Sequence, residues 1–410
     1  MEKNKLNYDA RDHFSLNDKQ IELSNSLREY ALSKLRENAP IYDIDEANSD
    51  QLLFEAANDG YYNLDFFKDA FSDSSGLSLS IVAEEFAYGD AGQALSILYP
   101  ALPLTLLLLF ANNEQESRIL PTLLGSKDMP KITSFAASEA DAGSDLGSLT
   151  TFAQKVEGGY LLNGRKRWAG NTGKADTYFI LANTDNEIGK NSQAFFYVEK
   201  GSKGLTFENI FNKIGLRSIR NGDILLENVF VPDNDIIGGT EFHLEKLEAL
   251  RSKKAFYPHQ ALSTFHATRP FVSSMAVGLA RAAHEDAVHY AALRSTFGKF
   301  ISEHQQISSI IAAQRTQIDA ARLLVRKASS SLNQISKSIS IEGSEAKLFA
   351  AKMVREVTAS SLQIAGGLGY TTELPFERYY RNAPIFGIFE GTDEVQNLII
   401  ASSIFNKKIR

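Results

Sequence analysis

The chain has 410 residues, of which 43% are apolar and 23% charged, a globular composition long enough for one large domain or two to three smaller ones. Its net charge of −7 argues against a nucleic-acid partner or an anionic membrane surface, because binding to either needs a concentrated basic face. The absence of cysteine excludes disulfides, iron–sulfur clusters and thiol nucleophiles. The seven histidines show no metal-ligand spacing, so we expect no metal site.

The apolar segments predict a cytoplasmic protein. The first 13 residues are polar and charged, and they lack the basic-then-apolar order of a secretory signal. The longest apolar stretch, residues 101–111, is too short to span a bilayer and contains Pro103 near its start. We expect this stretch to form a buried helix, and we expect no membrane partner.

The first zone of the chain, residues 1–130, is predicted to be an N-terminal helical domain. Apolar residues recur at three- and four-residue spacing over residues 20–35, which predicts an amphipathic helix. Residues 79–87 and 102–110 predict two further helices. The second of these is apolar on all sides and is therefore expected to be buried.

The second zone, residues 131–240, is predicted to be a β domain. Residues 177–182, 194–198 and 224–231 are rich in β-forming side chains and predict strands, the last of which ends at Pro232. Turn-forming residues are expected to separate the strands at Gly158–Gly159, Asn163–Gly164, Gly201 and Asn221–Gly222.

The third zone, residues 241–410, is predicted to be a helical bundle. Long helices are expected at residues 273–292, 307–333 and 343–366, and the glycines of residues 366–369 are expected to end the last of them. The fold class is therefore α+β, mostly α, with a β domain placed between two helical ones.

Five motifs occur in a fixed order: S-E-A-D-A-G-S-D at 138–145; N-G-R-K-R-W at 163–168 with Asn171 and G-K-A at 173–175; T-R-P at 268–270 with R-S-T-F-G-K at 294–299 and E-H-Q at 303–305; Q-I-A-G-G-L-G-Y at 363–370; and F-E-G-T-D-E-V-Q at 389–396. Together they resemble the acyl-CoA dehydrogenase family, over roughly residues 80–405. The resemblance implies an N-terminal helical domain, a middle β-barrel domain and a C-terminal four-helix bundle. It also implies that FAD lies between the β domain and the bundle.

The resemblance makes Glu390 the catalytic base. Removing a proton next to a thioester needs a base of raised pKa, and a carboxylate becomes a stronger base in an apolar pocket. Glu390 follows an apolar run at residues 385–388, as such a pocket requires. By resemblance it takes the α-proton while a hydride passes from the β-carbon to flavin N5, and its N–H helps to hold the thioester oxygen. The ordinary alternative for a glutamate is a solvated surface charge.

The resemblance also implies a set of FAD-binding residues. Trp168 is expected beside the flavin ring, although a lone tryptophan is ordinarily a core residue. Arg294 is expected to reach the FAD pyrophosphate of a neighbouring subunit, which implies a homodimer or homotetramer. An exposed arginine is otherwise a solvated charge. Seven further residues are expected around the FAD: Ser138, Phe297, Gln305, Gln363, Gly366, Gly367 and Thr392.

Substrate-binding residues follow less directly. Ser144 and Arg269 match positions near the thioester and pantetheine of the family's substrates, and Gly391 lets the backbone approach the ligand closely. The ordinary alternatives are a turn serine and an arginine paired with an acid.

Four features depart from the family pattern. Ser138 replaces the family's threonine, a minor change because the hydroxyl is kept. Gly170 stands where the family has a threonine hydrogen-bonded near flavin N5, which suggests a retuned flavin or room for water, and hence oxidase behaviour. Ile219 and Asn221 replace small hydroxyl residues. Residues 239–267 are about fifteen residues longer than expected, an insertion of the kind usually placed on the surface.

The insertion has two interpretations. It is either a neutral surface elaboration, or its basic and aromatic residues meet an acidic acyl carrier protein. The residues concerned are Arg251, Lys253, Lys254, Phe256, Tyr257 and His259.

The predicted function is FAD-dependent α,β-dehydrogenation of an acyl thioester in lipid or secondary metabolism. Electrons would pass to an electron-transferring flavoprotein or another acceptor. Two alternatives stay open: a non-catalytic protein that binds thioesters or carriers, and a flavin monooxygenase or oxidase on the same fold. The acyl group and the direction of the reaction are not predicted.

Overall fold

A computed structural model describes residues 8–14, 16–44, 49–252, 259–332 and 341–407 of the chain. Within these residues, helices at both ends of the chain flank a central pair of β-sheets. The α+β architecture with a β domain in the middle is confirmed.

The N-terminal helices are α1 (Asp18–Tyr30), α2 (Glu37–Ile44), α3 (Ser49–Asn58), α4 (Leu64–Ser72), α5 (Ser78–Gly89), α6 (Ala91–Leu98), α7 (Ala101–Phe110) and α8 (Asn113–Ile119). The helix predicted over residues 20–35 is α1 continued by a π-helical turn, Ala31–Arg36. The apolar stretch predicted to be buried is α7. Residues 91–110 are long and apolar enough to cross a membrane by composition, but most of them are buried in the protein, as in a core helix.

The β domain contains two sheets. Its strands are β1 (Thr133–Ala136), β2 (Phe152–Val156), β3 (Gly159–Gly170), β4 (Thr177–Ala182), β5 (Ala194–Glu199), β6 (Leu205–Glu208) and β7 (Asn221–Pro232). One sheet has the order β1-β4-β5, with β1 and β4 parallel, and the other has the antiparallel order β2-β3-β7-β6. The three predicted strands correspond to β4, β5 and β7.

Two predicted turns are wrong, because Asn163–Gly164 and Asn221–Gly222 lie inside strands β3 and β7. Gly164 sits at an irregularity in the β3–β7 register, with a φ of 147°, and a Cβ there would lie 2.5 Å from Thr151 Oγ1. A glycine in a strand often marks such a bulge or a close backbone approach rather than a chain reversal.

The C-terminal helices are α9 (Thr240–Arg251), α10 (Gln260–Leu293), α11 (Gln305–Leu332), α12 (Glu342–Gly369), α13 (Phe376–Asn382) and α14 (Asp393–Ile404). A small hairpin, β8 (Ser295–Thr296) and β9 (Lys299–Phe300), joins α10 to α11. Helices α10, α11 and α12 pack on one another, and α14 packs on α12. Helix α10 begins thirteen residues before the predicted start, so the T-R-P motif lies within it.

Helix α10 also packs closely against α5 of the N-terminal region. A Cβ at Gly278 would lie 2.1 Å from Glu84 O, so only glycine permits this approach. One turn away, the buried Arg281 donates to Glu84 Oε1 at 2.6 Å and to both carboxylate oxygens of Glu85. Charges removed from water are tolerated only when they are paired in this way.

Replacing Arg281 with methionine leaves the Glu85 carboxylate buried without its cation. We expect the free energy of unfolding to fall by about 3–5 kcal/mol, measured by urea denaturation. The control is Lys327→Met, which removes the solvent-accessible pair with Glu345 and should change stability by less than about 1 kcal/mol. Equal effects of the two substitutions would contradict a stabilising role for the buried cluster.

Candidate active site

The backbone at Glu390 adopts a conformation that side chains other than glycine rarely take. Glu390 follows a 3₁₀ turn, Ala383–Gly387, and has a φ of 57°. Gly391 has a φ of 92°, and a Cβ there would lie 2.4 Å from Gln396 Nε2. Strained backbone of this kind persists only where surrounding contacts hold it, and it is frequent at functional sites.

Two buried side chains hold this turn through its carbonyl groups. Gln396 Nε2 donates to Gly391 O at 2.9 Å and to Glu390 O at 3.3 Å. Lys347 Nζ, on α12, donates to Gly391 O at 2.8 Å and to Phe386 O at 2.7 Å. The left-handed turn is therefore clamped from α12 and α14, and the direction of the Glu390 side chain follows from it.

The carboxylate of Glu390 is removed from solvent, although the residue as a whole is only partly buried. Burial raises the pKa of Glu390 to about 7, against the opposing effects of a hydrogen bond from Thr268 and the charges of Arg269 and Lys347. A carboxylate with a pKa near neutrality is a strong enough base to take a proton from carbon acids and is still ionised at physiological pH.

Thr268 adapts to the protonation state of Glu390. Its hydroxyl lies 2.9 Å from Glu390 Oε2, 3.1 Å from Thr264 O and 3.3 Å from Phe265 O. A hydroxyl has one proton to donate and can also accept. Thr268 can therefore donate to the ionised carboxylate, and it can donate to a helix carbonyl while accepting from the carboxylic acid.

Arg269, which the sequence predicted near the substrate, lies beside Glu390. Its Nη1 donates to Ser344 Oγ at 3.1 Å, while its buried Nε has no hydrogen-bond partner within the described residues. Burial lowers the pKa of Arg269, and the charge of Glu390 acts to raise it. A buried guanidinium with donors to spare can bind a polar group of a ligand.

Trp168 is not a core residue. It lies beside an irregularity in the β3–β7 register, has a φ of 66°, and is 55% exposed. Its ring packs on Phe211 with the centroids 4.4 Å apart. An exposed indole held by an aromatic neighbour presents a flat surface on which another ring can pack.

The S-E-A-D-A-G-S-D motif lies next to Trp168. The carbonyl of Ser138, which is half-buried, accepts from Arg167 N at 2.9 Å. Burial acts to raise the pKa of Glu139, but the charge of Lys166 and hydrogen bonds from Thr150 and Thr151 lower it to about 2. Glu139 is therefore a structural acid. Ser144 is exposed on the same loop.

The glycine motif ends α12, as the sequence predicted. The helix continues to Gly369, with a kink at Gly366, whose φ of 61° and ψ of −139° are essentially restricted to glycine. Gly366, Gly367 and Gln363 are exposed, and a Cβ at either glycine would meet nothing within 4 Å. No side chain covers the backbone at Gly366 and Gly367, so a ligand can approach it closely.

Arg294, Phe297 and Gln305 lie together around the β8–β9 hairpin, and all three are exposed. Phe297 has a φ of 50° and is 97% exposed, with only an edge contact to the ring of His304. The ring of Phe297 is therefore accessible to another molecule.

Thr392 has a local structural role. It is the N-cap of α14, where its Oγ1 accepts from Val395 N at 3.3 Å. The structure therefore brings Glu390, Gly391, Thr392 and Arg269 together. The other FAD candidates lie at three places in the fold: the end of β3 with the adjoining loop, the kink of α12 and the hairpin.

Three residues of this site were not predicted from the sequence. Lys347 is a lysine on a buried helix face, a signal that could have been noticed. Gln396 was quoted as part of a motif but given no role. Thr268 begins the T-R-P motif, but the motif indicated no role for it.

Comparison with known proteins gives the family. Models of the acyl-CoA dehydrogenase N-terminal, middle and C-terminal domains match residues 17–127, 134–229 and 259–405. The chain is 30% identical to "Probable acyl-CoA dehydrogenase FadE25" of Mycobacterium tuberculosis, over 96% of this chain and 97% of the relative. It is 32% identical to "Caffeyl-CoA reductase-Etf complex subunit CarC" of Acetobacterium woodii, over 87% and 90%.

Two solved structures have the same fold across nearly their whole length. Butyryl-CoA dehydrogenase from Megasphaera elsdenii superposes with a TM-score of 0.83 at 29% identity, covering 96% of this chain and 100% of the other. The prolyl acyl carrier protein oxidase AnaB superposes with a TM-score of 0.81 at 25% identity, covering 95% and 99%. The chain belongs to the acyl-CoA dehydrogenase family of FAD-dependent oxidoreductases, which act on CH–CH groups.

Proposed function

We propose that the chain oxidises the α,β-bond of an acyl-CoA thioester, with Glu390 as the base that takes the α-proton. The observation that carries this proposal is the desolvated carboxylate of Glu390, whose pKa of about 7 matches the task of a general base. FAD, when bound, supplies the acceptor for the hydride that leaves the β-carbon.

The groups around Glu390 suit a thioester carbonyl. No acceptor for the N–H of Glu390 is found within the described part of the chain, so this donor is available to a ligand. A backbone N–H held in a rigid turn stabilises the negative charge that develops on a carbonyl oxygen when the α-proton leaves. Arg269 adds a positive charge close by, which favours the same charge distribution.

The residues present also fit FAD. The exposed face of Trp168 suits a flat ring system, and the bare backbone at Gly366 and Gly367 permits close approach of a dinucleotide. The exposed guanidinium of Arg294 suits a pyrophosphate. Because Arg294 and Phe297 lie on an exposed hairpin, we propose that they act across the interface of a homodimer or homotetramer.

The oxidase alternative was based on room for water beside Gly170, and the structure shows no such room. The sequence suggested room for water where Gly170 replaces a threonine, but a Cβ at Gly170 would lie 2.5 Å from Tyr99 Oη. The space is filled by a side chain. A non-catalytic role is also disfavoured, since a carboxylate without a task would not need to be buried with a raised pKa.

The carrier-protein alternative is not supported by the described part of the insertion. Arg251 pairs with Asp185, His259 Nε2 contacts Gln193 Oε1 at 2.8 Å, and the buried Lys246 donates to Gln193 O at 3.0 Å. Lys246 and His259 thus face the protein, and Arg251, although exposed, is already paired with an acid of this chain. The other predicted contact residues, Lys253, Lys254, Phe256 and Tyr257, lie outside the described residues.

We further propose that the protein works in the cytoplasm, in lipid or secondary metabolism. The electrons pass to an acceptor, for which we propose an electron-transferring flavoprotein.

Replacing Glu390 with glutamine removes the base and keeps the shape of the side chain. We expect anaerobic bleaching of the flavin by an acyl thioester to slow by about 10²- to 10⁴-fold, the usual contribution of a general base. Glu394→Gln is the matched control, because it removes an exposed carboxylate from the same motif. Bleaching at the wild-type rate in Glu390→Gln would exclude Glu390 as the base. A purified protein that takes up no FAD would refute the proposed function as a whole.

The rate of bleaching should depend on the pKa of Glu390. Only the ionised carboxylate accepts a proton, so the rate should rise with pH and reach half its plateau near pH 7. Thr268→Val removes the hydrogen bond that lowers this pKa, and it should move the midpoint to higher pH. Thr268→Ser keeps the hydroxyl and should restore the wild-type profile. A midpoint that is the same in all three proteins would show that Thr268 does not act on the base.

The carrier can be identified with one acyl group presented in two forms. We expect a higher kcat/KM for the free CoA thioester than for the same acyl group on an acidic acyl carrier protein. Arg251→Ala serves as a control, since a carrier docked on the insertion would lose affinity with it. A clear preference for the carrier protein would overturn the choice of CoA.

A further inference from the structure

Tyr99 fills the space where a side chain at position 170 would stand. It follows α6, and its ring is buried against the end of β3. A Cβ built at Gly170 would lie 2.5 Å from each of three Tyr99 atoms, Cε2, Cζ and Oη. Such a distance is far inside van der Waals contact, so this phenol and a side chain at 170 exclude each other.

The hydroxyl of Tyr99 is only weakly engaged by the protein. It lies 3.4 Å from both the N and the O of Phe135 on β1, at the outer limit of hydrogen bonding. Burial and the charge of Glu390 raise the pKa of Tyr99 to about 12, although the backbone of Phe135 and Gly170 acts to lower it. The phenol therefore stays protonated at neutral pH, near the base, with a donor available to a ligand.

The Tyr99 hydroxyl lies next to Gly170, and this places it close to Trp168. Gly170 is the second residue after Trp168 and ends the same strand. Ser134 Oγ donates a hydrogen bond to the carbonyl oxygen of Gly170 at 2.7 Å, which holds the backbone in place here. The end of β3 thus offers no side chain at position 170. A phenol contributed by the N-terminal helices fills this space instead.

We propose that Tyr99 is a positioning residue of the FAD site, presenting to the cofactor the hydroxyl that the strand itself lacks at Gly170. This inference rests on the proposed function, because it assumes FAD beside Trp168. Two consequences follow. Loss of the hydroxyl should weaken FAD binding and alter the flavin's properties, and a hydroxyl restored at position 170 should replace it only after the phenol is removed.

The test uses four variants of the full chain: Tyr99→Phe, Gly170→Thr, the double variant Tyr99→Ala/Gly170→Thr, and the control Tyr62→Phe. Tyr62 is as deeply buried as Tyr99, and its hydroxyl donates to Lys131 O at 2.7 Å, outside the site. For each protein we would measure the dissociation constant of FAD from the apoprotein, the visible spectrum and the midpoint potential of the bound flavin, and the melting temperature.

Tyr99→Phe should weaken FAD binding about fivefold, the value of one hydrogen bond, and should shift the spectrum and the potential. Gly170→Thr should weaken binding more than tenfold, because the threonine displaces the phenol, and the double variant should recover most of this loss. Tyr62→Phe should lower the melting temperature without changing the flavin.

Three results would overturn the inference. The first is a Tyr99→Phe protein whose FAD affinity, spectrum and potential equal those of the wild type. The second is Gly170→Thr binding FAD as tightly as the wild type, and the third is Tyr62→Phe altering the flavin as much as Tyr99→Phe. In each case a wild type that binds FAD and is bleached by a thioester keeps the proposed function intact. A wild type that binds no FAD overturns both.

Discussion

The candidate active site depends on one energetically unfavourable feature, the removal of the Glu390 carboxylate from water. The pKa of this group rises from 4.5 to about 7, and a difference of that size corresponds to about 3 kcal/mol. Between these values the folded chain keeps a proton that the unfolded chain has released, so stability falls as pH rises across this window. The hydrogen bond from Thr268 and the charges of Arg269 and Lys347 limit the penalty without removing it. The same desolvation also makes the carboxylate a stronger base, as the proposed reaction requires.

A base of this kind is useful only if its direction is fixed, and the residues that fix it need not touch the substrate. Lys347 and Gln396 bind the carbonyls of the turn from two different helices. Burial lowers the pKa of Lys347 to about 8, while the charges of Asp393 and Glu390 act to raise it. Lys347 therefore has two effects on Glu390, since it holds the backbone beside the carboxylate and its charge favours the ionised form.

The sequence predicted those parts of the molecule that local patterns encode. Strand β4 and helix α7 were predicted because their apolar residues are contiguous, and Glu390 because its motif is contiguous. The contacts that complete the site join distant segments: Thr268 and Glu390 are 122 residues apart, and Lys347 and Gly391 are 44 apart. No spacing within one segment reveals such pairs. Gly164 and Gly170 also could not be explained from local sequence. Thr151 leaves no room for a side chain at Gly164, and Tyr99 leaves none at Gly170.

The position of Tyr99 against Gly170 links the N-terminal helices to the candidate site. They do not merely cover the rest of the molecule, because the phenol of Tyr99 reaches the end of β3 from the turn between α6 and α7. That turn ends α6, and α6 follows directly from α5. Helix α5 is fixed against α10 by the close approach at Gly278 and by the buried pairing of Arg281 with Glu84 and Glu85. The helix that carries Arg281 also carries Thr268 and Arg269. A shift of α5 along α10 would therefore move the phenol relative to the base, so the buried ionic cluster bears on the geometry of the active site as well as on stability.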